Sequence, residues 1–297
     1  MSEMMTIPKA QFDQTILNDV AIDLQKAFNT GEMKYVEKII MALSSVRPAG
    51  NVVVQRADHV VLPAYRDQFL KTGIQWLDEY LGGGLRRQEL VIIGGAPHQG
   101  KTHILSFLAA AYLKSNTQLK VLHFNGEDLL GDIMDIYGNA LNEEEQMTRL
   151  FLADVIESKF DVPTVDRAMT NTPVDIVVID HLDIMHAGGD AGADWLAVSE
   201  IARGLRFIAK KHNVIMLVGS QLNFIDESAE VPKFGMTRFF RAKVGKASHA
   251  DVILLMGKTT RDEIEMELAK ARGRRIKNKH MLWQYDFNTM EIEGKWL

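Results

Sequence analysis

The chain opens with two stretches in which apolar residues return every three or four positions: Phe12, Ile16, Leu17, Val20, Leu24 and Phe28, then Met33, Val36, Ile39, Ile40 and Leu43. That period predicts amphipathic helices over 9–28 and 32–45, with Asn29-Thr30-Gly31 as the stop and turn between them. Ile22 falls off the stripe. A pair this small cannot bury both apolar faces by itself, so one face is expected to dock on another surface. Residues 46–70, with Pro48, Gly50 and Pro63, read as a connector. From residue 71 the pattern changes to short, continuously apolar runs that alternate with helical periods. Strands are predicted at 90–93, 119–124, 175–179, 214–218 and 252–256, and helices at about 102–114, 128–141 and 194–212. Runs that are apolar at every position are buried on both faces, so the alternation predicts an α/β fold on a mainly parallel sheet flanked by helices. After residue 250 the helical period disappears. Residues 263–271 and 281–290 read as strands that extend the sheet, joined by the basic turn Gly273-Arg274-Arg275-Ile276-Lys277-Asn278-Lys279. The organisation expected is a helical segment over 1–49, a linker over 50–70 and a core over 71–297.

The run Leu90-Val91-Ile92-Ile93 leads into Gly95-Ala96-Pro97-His98-Gln99-Gly100-Lys101-Thr102 and then into a predicted helix. A glycine-bearing loop between strand and helix turns several backbone N–H groups, and the positive end of the helix dipole, toward one point. Such a nest binds phosphate. In this G-x-x-x-x-G-K-T pattern Lys101 reaches the β- and γ-phosphates of ATP, and Thr102 offers its hydroxyl to Mg²⁺. Ligands of parallel sheets lie beyond the carboxyl ends of the strands, which makes polar residues at those ends the next candidates. Asp180 closes the run Ile176-Val177-Val178-Ile179 and suits a Mg²⁺-bound water. Glu127, after Val121-Leu122-His123-Phe124-Asn125-Gly126, is a candidate base for the attacking water. The same position also suits a helix start, where Glu127 and Asp128 would complement the dipole. Gln221 ends another strand and is placed to hydrogen-bond a γ-phosphate, although a polar residue at a strand end is common.

Composition narrows the class. The chain has 297 residues, 46% hydrophobic and 25% charged, which suits one large domain with a smaller appendage. No apolar stretch approaches the length of a membrane span, and charged residues stand where a signal peptide would be apolar, so a cytoplasmic protein without a membrane segment is expected. The absence of cysteine excludes disulfides, thiolate metal sites and cysteine nucleophiles. His181 and His186 have no third ligand at metal-site spacing and read as structural or solvent-facing. The net charge of −5 conceals an asymmetry, because residues 231–280 hold thirteen Lys or Arg against five Asp or Glu. A polyanion site and a solvated basic face both account for that segment.

The chain also carries Thr72-Gly73-Ile74-Gln75-Trp76-Leu77-Asp78, Leu81-Gly82-Gly83-Gly84-Leu85, the loop with its internal Pro97, Asn125-Gly126-Glu127, Ile179-Asp180-His181-Leu182, Ser220-Gln221-Leu222-Asn223 and Ala250-Asp251-Val252-Ile253, followed by Lys270-Ala271-Arg272. In order and spacing these motifs resemble the DnaB-type replicative helicases within the RecA-like ATPases. The resemblance implies a hexameric ring that hydrolyses ATP with Mg²⁺ between subunits and travels 5′ to 3′ on single-stranded DNA, with a primase or a helicase loader as partner. It implies Glu127 as base, Gln221 as γ-phosphate sensor, Arg272 as an arginine finger acting on the neighbouring subunit, and Lys270 as its companion. It also implies that Arg241, Lys243 and Lys246 meet DNA, although of the family's Arg-Glu-Ser-Gly stretch only the arginine is matched in Arg241-Ala242-Lys243-Val244. Phe239 and Phe240 either stack on bases or pack beneath the loop, and the turn at Arg274, Arg275, Lys277 and Lys279 is a second basic candidate. With no counterpart to the family's collar or primase domain, the expected form is short and phage- or plasmid-like, its residues 9–45 serving as linker helices against an adjacent subunit. Two alternatives remain: a RecA-like recombination or strand-annealing ATPase, and a regulatory ATPase of the KaiC kind.

Overall fold

The computed structural model describes residues 14–36, 38–39, 69–141, 144–156, 160–186, 194–221, 248–258, 260, 262–274, 279–286, 289 and 291–297. The chain divides into two compact units, Met1–Leu62 and Pro63–Leu297. In the first, helix α1 (Gln14–Thr30) ends where the sequence places its stop. Gly31 takes φ 70°, its N–H bonds the Ala27 carbonyl at 2.9 Å, and the Thr30 hydroxyl returns to the Lys26 carbonyl at 2.8 Å. A left-handed residue that satisfies a terminal carbonyl is a common helix ending. Leu24 and Phe28, from the predicted apolar stripe, are exposed. Residues 33–36 and 38–39 are helical; the remainder of the second predicted helix lies outside the described residues.

In the second unit, β1 (Phe69–Leu70) and β2 (Leu85–Arg86) pair around α2 (Gln75–Tyr80). The turn before α2 is pinned by Asp78, whose Oδ1 accepts from the Thr72 N–H at 2.8 Å and the Thr72 hydroxyl at 2.9 Å. The chain continues through β3 (Leu90–Gly95), α3 (Lys101–Ser115), β4 (Val121–Asn125), α4 (Leu130–Ala140), α5 (Glu144–Met147), β5 (Leu150–Asp154), α6 (Val162–Asn171) and β6 (Ile176–Asp180). It closes with α7 (Asp194–Lys211), β7 (Ile215–Gln221), β8 (Val252–Lys258), β9 (Glu263–Ala271), β10 (His280–Asp286) and β11 (Glu291–Trp296). One nine-stranded sheet results, in the order β11-β10-β9-β8-β3-β7-β6-β4-β5. From β8 to β5 all neighbours are parallel, and β9, β10 and β11 add antiparallel strands at one side.

The two-residue period of β3 shows why the central strands are apolar throughout. Val91 and Ile93 enter one core with Ile104 and Leu108 of α3, while Leu90 and Ile92 enter the other with Ile201 and Leu205 of α7. Each such side chain contributes about 1.5–3 kcal/mol by leaving water. Several elements differ from the sequence expectation. The short elements α2, β2 and α5, the edge strand β5 and helix α6 fall where no element is predicted, and the predicted 281–290 strand ends at Asp286, with β11 following separately. At the edge of the sheet, β11 reads Glu-Ile-Glu-Gly-Lys-Trp with only Ile292 buried. Helix α6 does carry a local start signal: the Asp161 side chain accepts from the Thr164 N–H at 2.9 Å, with Pro163 in the first turn. Arg274 differs as well. Its guanidinium is 1% exposed, donates to the Leu81 carbonyl at 2.8 Å and pairs with Glu89, so it locks the β9–β10 turn to the segment before β3 and is withdrawn from any polyanion surface.

His123, in β4, is fully buried with Nδ1 3.0 Å from the Tyr137 hydroxyl of α4. Burial pushes the imidazole down to about 3 from 6.5. Because the folded value is the lower one, the unfolded chain takes up the proton first. The stability contribution is therefore complete above pH 6.5 and declines as pH falls toward 3. Between pH 7 and 5 the loss from this group should be about 2 kcal/mol. Urea unfolding of His123→Phe at both pH values should show a shallower fall than wild type; equal slopes would contradict the assignment.

Candidate nucleotide site

Strand β3 delivers the loop. At Gly95 a Cβ would come 2.5 Å from Cγ of Met256 in β8, so any larger residue there would have to displace that side chain. Gly100 then takes φ 87° as the residue that starts α3, a left-handed conformation that glycine adopts without a Cβ clash. The loop is tied across its mouth: Lys101 Nζ donates to the Ala96 carbonyl at 2.8 Å, and Gln99 Oε1 accepts from the Ala96 N–H at 3.1 Å. Beside it opens a cavity of about 670 Å³, walled by Pro97, His98 and Lys101 on the loop side and by Glu127, Asp180 and Gln221 on the side of the strand ends. Sheet register sets the second wall, since Gly95 lies opposite Gln221 and Asn125 opposite Asp180.

The charges in this cavity are poised for an anion and a cation. Burial raises the Asp180 carboxyl above its ordinary value, against a hydrogen bond from Thr102 and the nearby His181, which pull it down. Burial likewise lowers Lys101, opposed by Asp180, Glu127 and Asp183. Thr102 and Asp180 therefore meet in the structure, a hydroxyl and a carboxylate offering only hard oxygen donors. That donor set fits Mg²⁺. ATPases with this loop generally work on ATP with Mg²⁺.

Glu127 is not a helix cap, because α4 starts later, with Leu129 in the capping position. It lies in the cavity wall, half exposed, with Oε1 2.8 Å from His181 Nε2. The same Nε2 is 3.1 Å from the side-chain amide of Gln221. On the far side of the ring the Asp183 N–H donates to Nδ1 at 3.1 Å, and Asp183 Oδ2 accepts from the Gln221 N–H at 2.7 Å. His181 is thus 3% exposed, between Glu127 and Gln221, which corrects the solvent-facing alternative of the sequence reading. Burial alone would lower its pKa; its hydrogen bonds to Asp183 and Glu127 and their charges raise it above the usual value. A signal for this residue was present in its position directly after Asp180, at a strand end. His186 remains exposed, away from the cavity wall.

Lys270 and Arg272 do not join this wall. Strand β8 runs parallel to β3 from its first residues, so Asp251 stands level with Leu90, whose N–H it accepts at 3.2 Å. Arg272 is anchored there: its N–H donates to the Asp251 carbonyl at 2.8 Å, and Nη1 lies 3.5 Å from Oδ1. Arg206 of α7 holds the same carboxylate with two bonds, at 2.8 and 3.1 Å. The phosphate loop leaves the opposite end of β3, roughly 17 Å away at strand rise, farther than an arginine side chain spans. Positive charge gathers around Arg272. His249 is lowered by burial and then by Arg203, Arg206, Lys270 and Arg272, and Lys270 by burial and then by Arg272. Arg241, Lys243 and Lys246 lie outside the described residues, as do Leu222, Asn223, Phe239, Phe240, Arg275 and Lys277.

A family model described as an AAA domain matches residues 56–223, more than half of the chain. The chain belongs to this AAA-domain family. DNA repair protein RadA of Treponema pallidum (strain Nichols) is 29% identical over 157 residues, 53% of this chain and 32% of that protein. The chain therefore spans about a third of that relative's length. Among solved structures, one described as an ATPase domain superposes with a TM-score of 0.65 at 15% identity, covering 88% of this chain and 98% of that one. A DnaB-like replicative helicase, described with its interactions with primase, gives 0.65 at 14% identity over 94% of this chain and 75% of that one. These likenesses establish the fold, a mainly parallel sheet flanked by helices with antiparallel strands added at one side, as the resemblance in sequence implies. No helix among the described residues is long and apolar enough to cross a membrane.

Proposed function

We propose that this ATPase is the motor of a DNA helicase of the DnaB type, a hexameric ring that hydrolyses ATP between subunits while moving 5′ to 3′ along single-stranded DNA. The observation that carries the reading is the separation of the nucleotide cavity from the cluster around Arg272. One subunit presents a phosphate loop, a carboxylate base and a sensor amide at the carboxyl end of its central strands, and a group of cations at their amino end. A ring in which one strand end faces the next subunit's opposite strand end completes each site from two chains.

Within that ring, Lys101 exchanges its bond to the Ala96 carbonyl for phosphate oxygens, and the loop amides bind the phosphates from below. Thr102 and Asp180 would hold Mg²⁺, which supplies positive charge to the β- and γ-phosphates. Glu127 accepts the proton of the attacking water. Gln221 donates its amide to the γ-phosphate and loses that bond on hydrolysis. Arg272 and Lys270 of the neighbouring subunit balance charge developing in the transition state. Arg241, Lys243 and Lys246 supply cations to the DNA backbone, and a primase or a helicase loader is the protein partner of this proposal.

The likeness to RadA supports a second reading, a recombination ATPase that occupies single strands without separating duplexes. Forked duplexes with one labelled strand distinguish the two. The helicase reading expects ATP-dependent strand release that requires a 5′ single-stranded arm. ATP turnover stimulated by DNA without strand release would favour the second reading and overturn the first.

A further inference from the structure

His181 has no part in the mechanism above, yet it touches two of the groups that do. We propose that His181 is a positioning residue that holds the Glu127 carboxylate and the Gln221 amide on a single ring nitrogen, coupling the hydrolytic base to the γ-phosphate sensor. The inference rests on the ATPase reading of the cavity.

The ring has little freedom. It is 3% exposed, its Nδ1 is taken by the Asp183 N–H at 3.1 Å, and Asp183 is itself held by the Gln221 N–H at 2.7 Å. Nε2 carries a proton both in the tautomer whose Nδ1 accepts from the Asp183 N–H and in the imidazolium that the Asp183 and Glu127 carboxylates favour, and that N–H donates to Glu127 Oε1 at 2.8 Å. The Gln221 amide lies 3.1 Å from the same nitrogen. An N–H cannot accept from an amide NH₂, so hydrogen-bond logic turns the amide oxygen toward the ring. The NH₂ end is then left to face the cavity, the orientation in which it donates to a phosphate oxygen. One N–H thus sets the direction of the sensor and the resting place of the base. A shift of Gln221 toward a bound γ-phosphate frees the ring N–H for Glu127 alone, and loss of the phosphate returns it to both.

Two substitutions separate this role from a purely local one. His181→Asn keeps an acceptor near Nδ1 for the Asp183 N–H and removes the group at Nε2. His181→Gln does the reverse, reaching the Nε2 position with an amide NH₂ and giving up the Nδ1 acceptor. Steady-state ATP hydrolysis with single-stranded DNA present, and binding of a non-hydrolysable ATP analogue, are measured for both and for wild type. For His181→Asn the coupling expects kcat to fall about 10- to 100-fold, as misplacement of reacting groups by about 1 Å does, with analogue affinity within about threefold of wild type. His181→Gln should stay within about tenfold of wild-type kcat and exceed the Asn variant. The opposite ranking, Asn near wild type and Gln impaired, would show that only the Asp183 contact matters and would overturn the proposal. Should the Asn protein not fold, the Gln protein decides alone, with a kcat loss beyond about tenfold counting against the coupling. A wild-type chain that turns over no ATP would instead overturn the ATPase reading itself, and the two failures are thereby distinguished.

Discussion

Arg272→Ala should lower ATP turnover by about 10³- to 10⁵-fold while ATP binding stays close to wild type. An arginine that neutralises charge appearing only in the transition state contributes to rate and little to ground-state affinity. The fold should tolerate the change, because the Arg272 side chain is half exposed and the buried Asp251 keeps both bonds from Arg206 and the bond from the Leu90 N–H. Arg272→Lys should restore little, since an ammonium cannot reproduce the planar, multiply donating guanidinium. Titration of a fluorescent ATP analogue beside steady-state turnover checks both halves. Equal losses in binding and turnover would assign Arg272 to nucleotide binding, and normal turnover would remove it from the site.

Glu127→Gln should cost about 10²- to 10⁴-fold in turnover, the range expected when a general base is lost. The substitution is close to isosteric at a half-exposed position, and the amide oxygen can still accept from His181 Nε2–H, so the side chain keeps its place. Only the proton acceptor is removed. ATP analogue and single-stranded DNA should therefore still bind, and a single-turnover experiment should show the hydrolytic step itself slowed. Turnover near that of wild type would reject Glu127 as the base.

What the sequence made legible follows from how local each feature is. The loop from Gly95 to Thr102 specifies its own conformation within eight residues, and the runs at β3, β6 and β7 are apolar throughout because both faces are covered. Edge strand β11 escaped notice because a strand with a single buried residue carries a weak pattern, whereas β5, apolar over Leu150-Phe151-Leu152-Ala153 and packed on both cores, carries the same continuous run as its neighbours. The same holds for chemistry. Lys101, Thr102 and Asp180 announce themselves by motif and strand end, whereas His181 acquires meaning only through Glu127, 54 residues earlier, and Gln221, 40 residues later. Judged by metal-site spacing it looked inert. Arg272 was legible by resemblance, but its distance from its own loop depends on the antiparallel pairing of β9 with β8, and its anchor on Asp251 shared with Arg206 links positions far apart in the chain. Arg274, one of a run of cations in sequence, turns inward because Glu89 and the Leu81 carbonyl await it.

The central claim is that each site draws its loop from one subunit and its arginine from the next. Mixing Lys101→Ala with Arg272→Ala tests it most directly. Each protein alone should be inactive, the first lacking the phosphate contact and the second the finger. In a mixed assembly a Lys101→Ala subunit still presents Arg272 to a neighbour whose own loop is intact. Hydrolysis should therefore reappear on mixing, in proportion to such junctions, in assemblies shown by separate labels to contain both proteins. Mixed assemblies that remain as inactive as their components would contradict catalysis shared between subunits.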